Sequence, residues 1–119
     1  MEWRVPLADV KLGIEEENAV LEVLRSGWLT MGQVSQAFEQ QLADFVGAKH
    51  AIAVNNATAA LHLACLAMGL RPGDEVILPS LTFVATANAI RYTGATPVFA
   101  DIESEDWLCL CPHAVRERI

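Results

Sequence analysis

The sequence predicts an α/β domain built on a parallel sheet and preceded by N-terminal helices. Three observations carry this: two helical patterns with clear stops before residue 50, short apolar runs alternating with helical patterns from Ala51 onward, and turn residues at every change of pattern. With 119 residues, 53% of them hydrophobic, the chain can build one domain with a core and is short for a multidomain enzyme.

Taken in order, Ile14–Ser26 carries Ile14, Val20, Leu21, Val23 and Leu24, an acidic first turn (Glu15, Glu16, Glu17) and Gly27 just past its end, which together predict a helix. Phe38, Leu42 and Phe45 recur at helical spacing and predict a second helix over Val34–Phe45, stopped by Gly47. Between the two lies Gly27-Trp28-Leu29-Thr30-Met31-Gly32, a glycine-bracketed loop holding a tryptophan. Then follow a strand at Ala51–Val54, a helix at Thr58–Gly69, a strand at Glu75–Pro79, a helix at Phe83–Tyr92 and a strand at Thr96–Ala100. Arg71-Pro72-Gly73-Asp74 and Thr93-Gly94-Ala95 supply the turns. Apolar strands joined through helices imply a parallel sheet covered on both faces. Pro112 opens a last helix. Residues 1–50 are therefore read as a helical segment with a functional loop, and 51–119 as the first part of an α/β domain.

Composition excludes several classes. A net charge of −7, with eight basic residues scattered along the chain, offers no stripe for nucleic acid or an anionic membrane surface. The apolar runs are too short to span a bilayer, and Met1–Lys11 is charged and mixed without a signal-peptide core, so a cytoplasmic protein is expected. Cys65, Cys109 and Cys111 suit that compartment and make no disulfide framework. Cys109, Cys111 and His113 match no standard zinc spacing, and no metal is expected.

Function concentrates at the carboxyl ends of the strands, where open parallel sheets bind ligands. Asn55–Thr58 turns from a strand straight into an Ala/Leu-rich helix, whose first N–H groups lack partners and carry the positive end of the dipole, an arrangement that suits a phosphate. Ser80, Thr82 and Phe83 follow the second strand, and the Phe83 ring could stack on a flat ligand. Asp101–Glu103 follow the third. Each has a plainer reading: Asn55, Asn56 and Thr58 as helix caps, Phe83 and Trp28 as core, His62 as a packed histidine, Asp101 as a turn cap. A nucleotide-binding domain of Rossmann type is disfavoured, since no G-x-G-x-x-G follows the first strand.

Together these segments resemble the N-terminal part of the DegT/StrS-type aminotransferases, pyridoxal-phosphate (PLP) enzymes of fold type I that mostly aminate nucleotide-linked keto-sugars. The resemblance runs in order through Gly27–Gly32, Phe38-Glu39, Asn56–Ala64, Pro72–Ile77, Pro79–Thr86, Gly94–Phe99 and Asp101-Ile102. It implies the three-layer parallel-sheet sandwich of the PLP-dependent transferase large domain, incomplete here and preceded by the N-terminal helices. It implies that Ala57 and Thr58 hold the cofactor phosphate, with Asn56 beside them, that Phe83 stacks on the pyridine ring, and that the loop with Trp28 and Thr30 lies near the sugar entrance. It also implies a homodimer, a keto-sugar nucleotide substrate and an amino-acid donor. Transamination needs a Schiff-base lysine and an acid facing the pyridine nitrogen, and both family positions are expected beyond Ile119. The only lysines are Lys11 and Lys49, and Lys49 precedes the first predicted strand, at the wrong end of the sheet. The chain is thus read as the N-terminal fragment of such an aminotransferase, with no catalytic residue of its own. The alternatives are an inactive remnant that binds a phosphate ligand or a full-length partner, and a dehydratase of the same family in which histidine replaces the lysine.

Overall fold

The computed structural model describes residues 10–119; the charged N-terminal stretch lies outside the described residues up to Asp9. The chain divides into two compact units between Ala53 and Val54.

In the first unit, helix α1 (Ile14–Ser26) begins where the sequence places it. The Gly13 N–H, one of the donors a helix start leaves unpaired, is taken by the Glu16 carboxylate at 2.7 Å. That hydrogen bond holds the Glu16 carboxyl below the usual glutamate range. The sign follows: the lowered folded value means the bond contributes to α1 above the unfolded value and is lost as pH falls through the folded one. We expect the Gly13 amide resonance to titrate with Glu16 on acidification and to stay flat in Glu16→Gln. A flat wild-type profile would refute the cap.

Helix α2 (Gln33–Val46) is one residue longer at each end than its periodicity predicts, and buries Ala43. Gly47 ends it in the left-handed region at φ 70°, where its N–H bonds the Asp44 carbonyl and the Ala48 N–H returns to Ala43. The following stretch corrects the sequence reading: Ala51–Val54 forms no strand. A strand requires a neighbouring backbone, and the Ala53 N–H instead meets the Glu39 carboxylate of α2 at 2.8 Å.

The second unit is a βαβ core with one further helix. Helix α3 (Ala57–Ala67) packs on α4 (Ala85–Tyr92), which joins strands β1 (Glu75–Pro79) and β2 (Thr96–Ala100). The strands pair in parallel, from Glu75 opposite Thr96 to Pro79 opposite Ala100. The predicted βαβαβ is therefore realised as βαβ, because the Ala51–Val54 segment does not join the ladder. Leu78, Ile90 and Ala95 form the core, with Cys65, Leu70, Val76 and Ala87 packed around them. Gly94 turns α4 into β2 at φ 85°, and a Cβ there would meet the Pro72 ring at 2.7 Å, so both the conformation and the close approach demand glycine. After β2 the chain forms a narrow hairpin, bridged antiparallel at Ile102–Leu110, before the short helix α5 (Pro112–Arg116).

Candidate active site

Chain order fixes which groups share one end of the second unit. Helix α3 runs through Met68–Asp74 into β1, and α4 runs from β1 into β2, so both helices oppose the strands in direction. The start of α4 and the segments Ser80–Phe83 and Asp101–Glu103 follow the carboxyl ends of β1 and β2, where Ser80 meets Asp101, and α3 packs on α4.

At the start of α3, Asn56 is the cap. Its side-chain oxygen accepts the Ala59 N–H at 2.8 Å, and its carbonyl accepts the Ala60 N–H at 3.2 Å. The plain capping reading of Asn56 holds, and what its side chain still offers a ligand is its NH2 group. Ala57 and Thr58 occupy the first helical positions, one residue earlier than the sequence suggests. Their N–H groups have no intrahelical acceptor and point out of the helix end. Thr58 is half-buried beside them.

Phe83 precedes α4 rather than opening it, and 75% of it is exposed. The expectation of a core aromatic fails: the ring stands open at the end of the sheet while its backbone is held. Its carbonyl accepts the Thr86 N–H at 3.0 Å, and the Thr82 and Thr86 hydroxyls pair at 3.1 Å. One turn earlier, the Ser80 N–H extends the ladder to the Ala100 carbonyl at 2.8 Å, and the Ser80 hydroxyl donates to the Asp101 carboxylate at 3.3 Å. Asp101 is thus more than a turn cap. Its role as partner of Ser80, 21 residues away in sequence, has no local signature.

His62 is half-buried and packs edge-to-face on Tyr92, with ring centroids 5.3 Å apart and planes at 66°, as a packed histidine should. The hairpin after β2 is absent from the sequence reading. It closes through the Glu103 N–H to the Cys109 carbonyl at 2.8 Å and the Trp107 N–H to the Ser104 hydroxyl at 3.1 Å. Ser104-Glu105-Asp106 between the apolar Ile102 and Leu110 was the available signal. The three cysteines are free, and among the described residues no group of three metal-capable side chains assembles.

In the first unit, the Trp28 loop is wound on its own indole. The indole N–H donates to the Met31 carbonyl at 3.1 Å, and a Cβ on Gly32 would meet the indole nitrogen at 2.5 Å, so Gly32 is there for space. Trp28 is 64% exposed, not buried structure. With Thr30, Leu29, Met31, Val23 and Val34 it lines a broad, mostly apolar groove. Lys49 lines a separate shallow polar cleft with Glu39 and Gln36. Since Ala51–Val54 is no strand, the sheet-polarity argument that placed Lys49 away from the site does not apply to it.

Among the described residues, no helix is long and apolar enough to cross a membrane. The chain is similar to the spore coat polysaccharide biosynthesis protein SpsC of Bacillus subtilis strain 168, with 61% identity over 92 residues, covering 77% of this chain and 24% of SpsC. Among solved structures it resembles Spr1654 of Streptococcus pneumoniae, described as a sugar aminotransferase and seen in PMP and PLP forms. The PMP form shows 31% identity, a TM-score of 0.89, and coverage of 98% of this chain and 29% of that one. DesV of S. venezuelae is 40% identical with a TM-score of 0.82, over 88% of this chain and 28% of that one. The chain therefore spans less than a third of the length of these relatives. The profile of the DegT/DnrJ/EryC1/StrS aminotransferase family matches residues 11–119. Agreement in sequence over nearly the whole chain and in backbone with solved members leads to one conclusion: the chain belongs to the DegT/DnrJ/EryC1/StrS aminotransferases, a family of PLP-dependent enzymes.

Proposed function

We propose that this chain is the N-terminal part of a cytoplasmic, homodimeric PLP-dependent aminotransferase acting on nucleotide-linked keto-sugars with an amino-acid donor. In this reading the chain supplies the phosphate-and-ring half of the cofactor site. The observation that supports it is an open start on α3, a helix that packs on α4, together with a 75% exposed aromatic on a pinned backbone just before α4. This donor set fits a flat, phosphorylated aromatic. The Ala57 and Thr58 N–H groups and the Thr58 hydroxyl bind the phosphate, aided by the α3 dipole. Asn56 shapes that helix start, and the Phe83 ring covers one face of the cofactor.

Bound PLP supplies an electron sink for the substrate carbon that gains or loses the amino group. The chain's own residues bind and orient. Phosphate contacts fix where the ring lies, the Phe83 face fixes its tilt, and holding both suppresses the motions that would misalign the reacting carbon. Trp28 and Thr30, in the first unit, are assigned to the substrate by the family resemblance alone.

The test is the full-length protein that carries this chain, purified and assayed for bound PLP and for amino transfer from an amino acid to a nucleotide-linked keto-sugar. Both are expected, with a lysine bonded to the cofactor from the part beyond Ile119. A histidine at that position, with water loss instead of amino transfer, would make the protein a dehydratase. A reading frame ending at the Ile119 codon would make it an inactive remnant.

A further inference from the structure

Within this chain Phe83 is 75% exposed and has few packing contacts, so among these residues its direction is set chiefly by its backbone. The backbone is held on its helix side by the Thr86 N–H to the Phe83 carbonyl and by the Thr82–Thr86 hydroxyl pair. On the strand side it is held at Ser80, and one of the two groups that hold it there is Asp101. Ser80 reaches the end of β2 twice, through its N–H to the Ala100 carbonyl at 2.8 Å and through its hydroxyl to the Asp101 carboxylate at 3.3 Å. Asp101 is itself fixed, because its carbonyl accepts the Cys111 N–H at 2.9 Å where the Ile102–Leu110 hairpin closes. Ser80–Phe83 is therefore a short span between two anchors, and one of them includes a side chain just past the end of β2.

We propose that Asp101 is a positioning residue: through Ser80 it sets the direction of the Phe83 ring, and so the tilt of the cofactor, without touching the cofactor. The inference rests on the functional reading above, in which Phe83 stacks on PLP. An acceptor oxygen is what the bond needs, so asparagine can replace aspartate, while alanine releases the hydroxyl of Ser80.

The experiment compares wild type, Asp101→Ala, Asp101→Asn, Ser80→Ala, Phe83→Ala and the Phe83→Ala/Asp101→Ala double variant in the holoenzyme. It reads PLP dissociation and, independently of cofactor, amide hydrogen exchange over residues 81–84 in the apo-protein. Asp101→Ala and Ser80→Ala are expected to weaken PLP retention about three- to tenfold and to speed exchange over 81–84, with Asp101→Asn close to wild type. In the Phe83→Ala background, Asp101→Ala is expected to add almost nothing, because its effect passes through the ring that is already gone. Unchanged exchange in Asp101→Ala, or an equal loss with and without Phe83, overturns the inference while leaving the functional reading intact. Wild-type retention in Phe83→Ala overturns the functional reading itself, and the positioning role with it.

Discussion

Replacing Phe83 by alanine is expected to weaken PLP retention in the holoenzyme by roughly 10- to 100-fold. The ring contributes an aromatic stacking term of about 0.5–1.5 kcal/mol beyond the area it covers, and covering apolar area adds about 25 cal/mol per Å². With roughly 40–50 Å² covered, the two sum to about 1.5–2.8 kcal/mol, one to two decades of affinity at about 1.4 kcal/mol per decade. Within this chain Phe83 is 75% exposed, so its truncation opens no cavity among these residues. Thr58→Ala removes a hydrogen bond to a charged group, worth about 1.5–3 kcal/mol, but spares the backbone donors of Ala57 and Thr58. Its loss is expected to be of similar size, with partial rescue in Thr58→Ser. PLP release after dilution, followed by absorbance, measures all three variants. Wild-type retention in both alanine variants would remove the assignment of the site.

How much of this was legible beforehand divides along a physical line. Where local forces decide, the sequence spoke clearly. Ile14–Ser26, Glu75–Pro79 and Thr96–Ala100 have the predicted bounds, because an acidic first turn, a terminal glycine or a run of apolar residues between turns is a local property. Where a partner decides, it misled. Ala51–Val54 is apolar, yet a strand is a relation between two backbones, and the Ala53 N–H is taken by Glu39, 14 residues away. The Phe83 side chain points to the same distinction. Composition favours burial of a phenylalanine, whereas in this chain Phe83 is 75% exposed, in the turn that follows β1. The helix-start phosphate site was legible because its donors are backbone groups that any helix presents. The tether of Ser80 was illegible, since it depends on the parallel register that brings Pro79 opposite Ala100.

The 119-residue chain on its own is expected to self-associate and to lack a single cooperative unfolding transition. Many large apolar side chains of the described residues are exposed. Phe45 is 89% exposed and Ile52 80%, and α1 buries none of its residues although Ile14, Val20, Leu21 and Leu24 recur along it. Helices in globular proteins draw most of their stability from packing an apolar stripe, so α1 on its own is a marginal helix. The two-stranded sheet adds unpaired backbone along its edges, a template for pairing with other chains. Against this, the buried core of the second unit is small, resting on Leu78, Ile90 and a few alanines. Hydrophobic burial must exceed a conformational entropy cost of about 1–2 kcal/mol per residue, which a core of this size does not do for 119 residues. Sedimentation of the isolated chain should show oligomers or aggregates, and thermal melting a broad, probe-dependent loss of helix. A monomer with one sharp transition would show instead that the two units are self-sufficient, and would favour an autonomous phosphate-binding module over part of a larger enzyme.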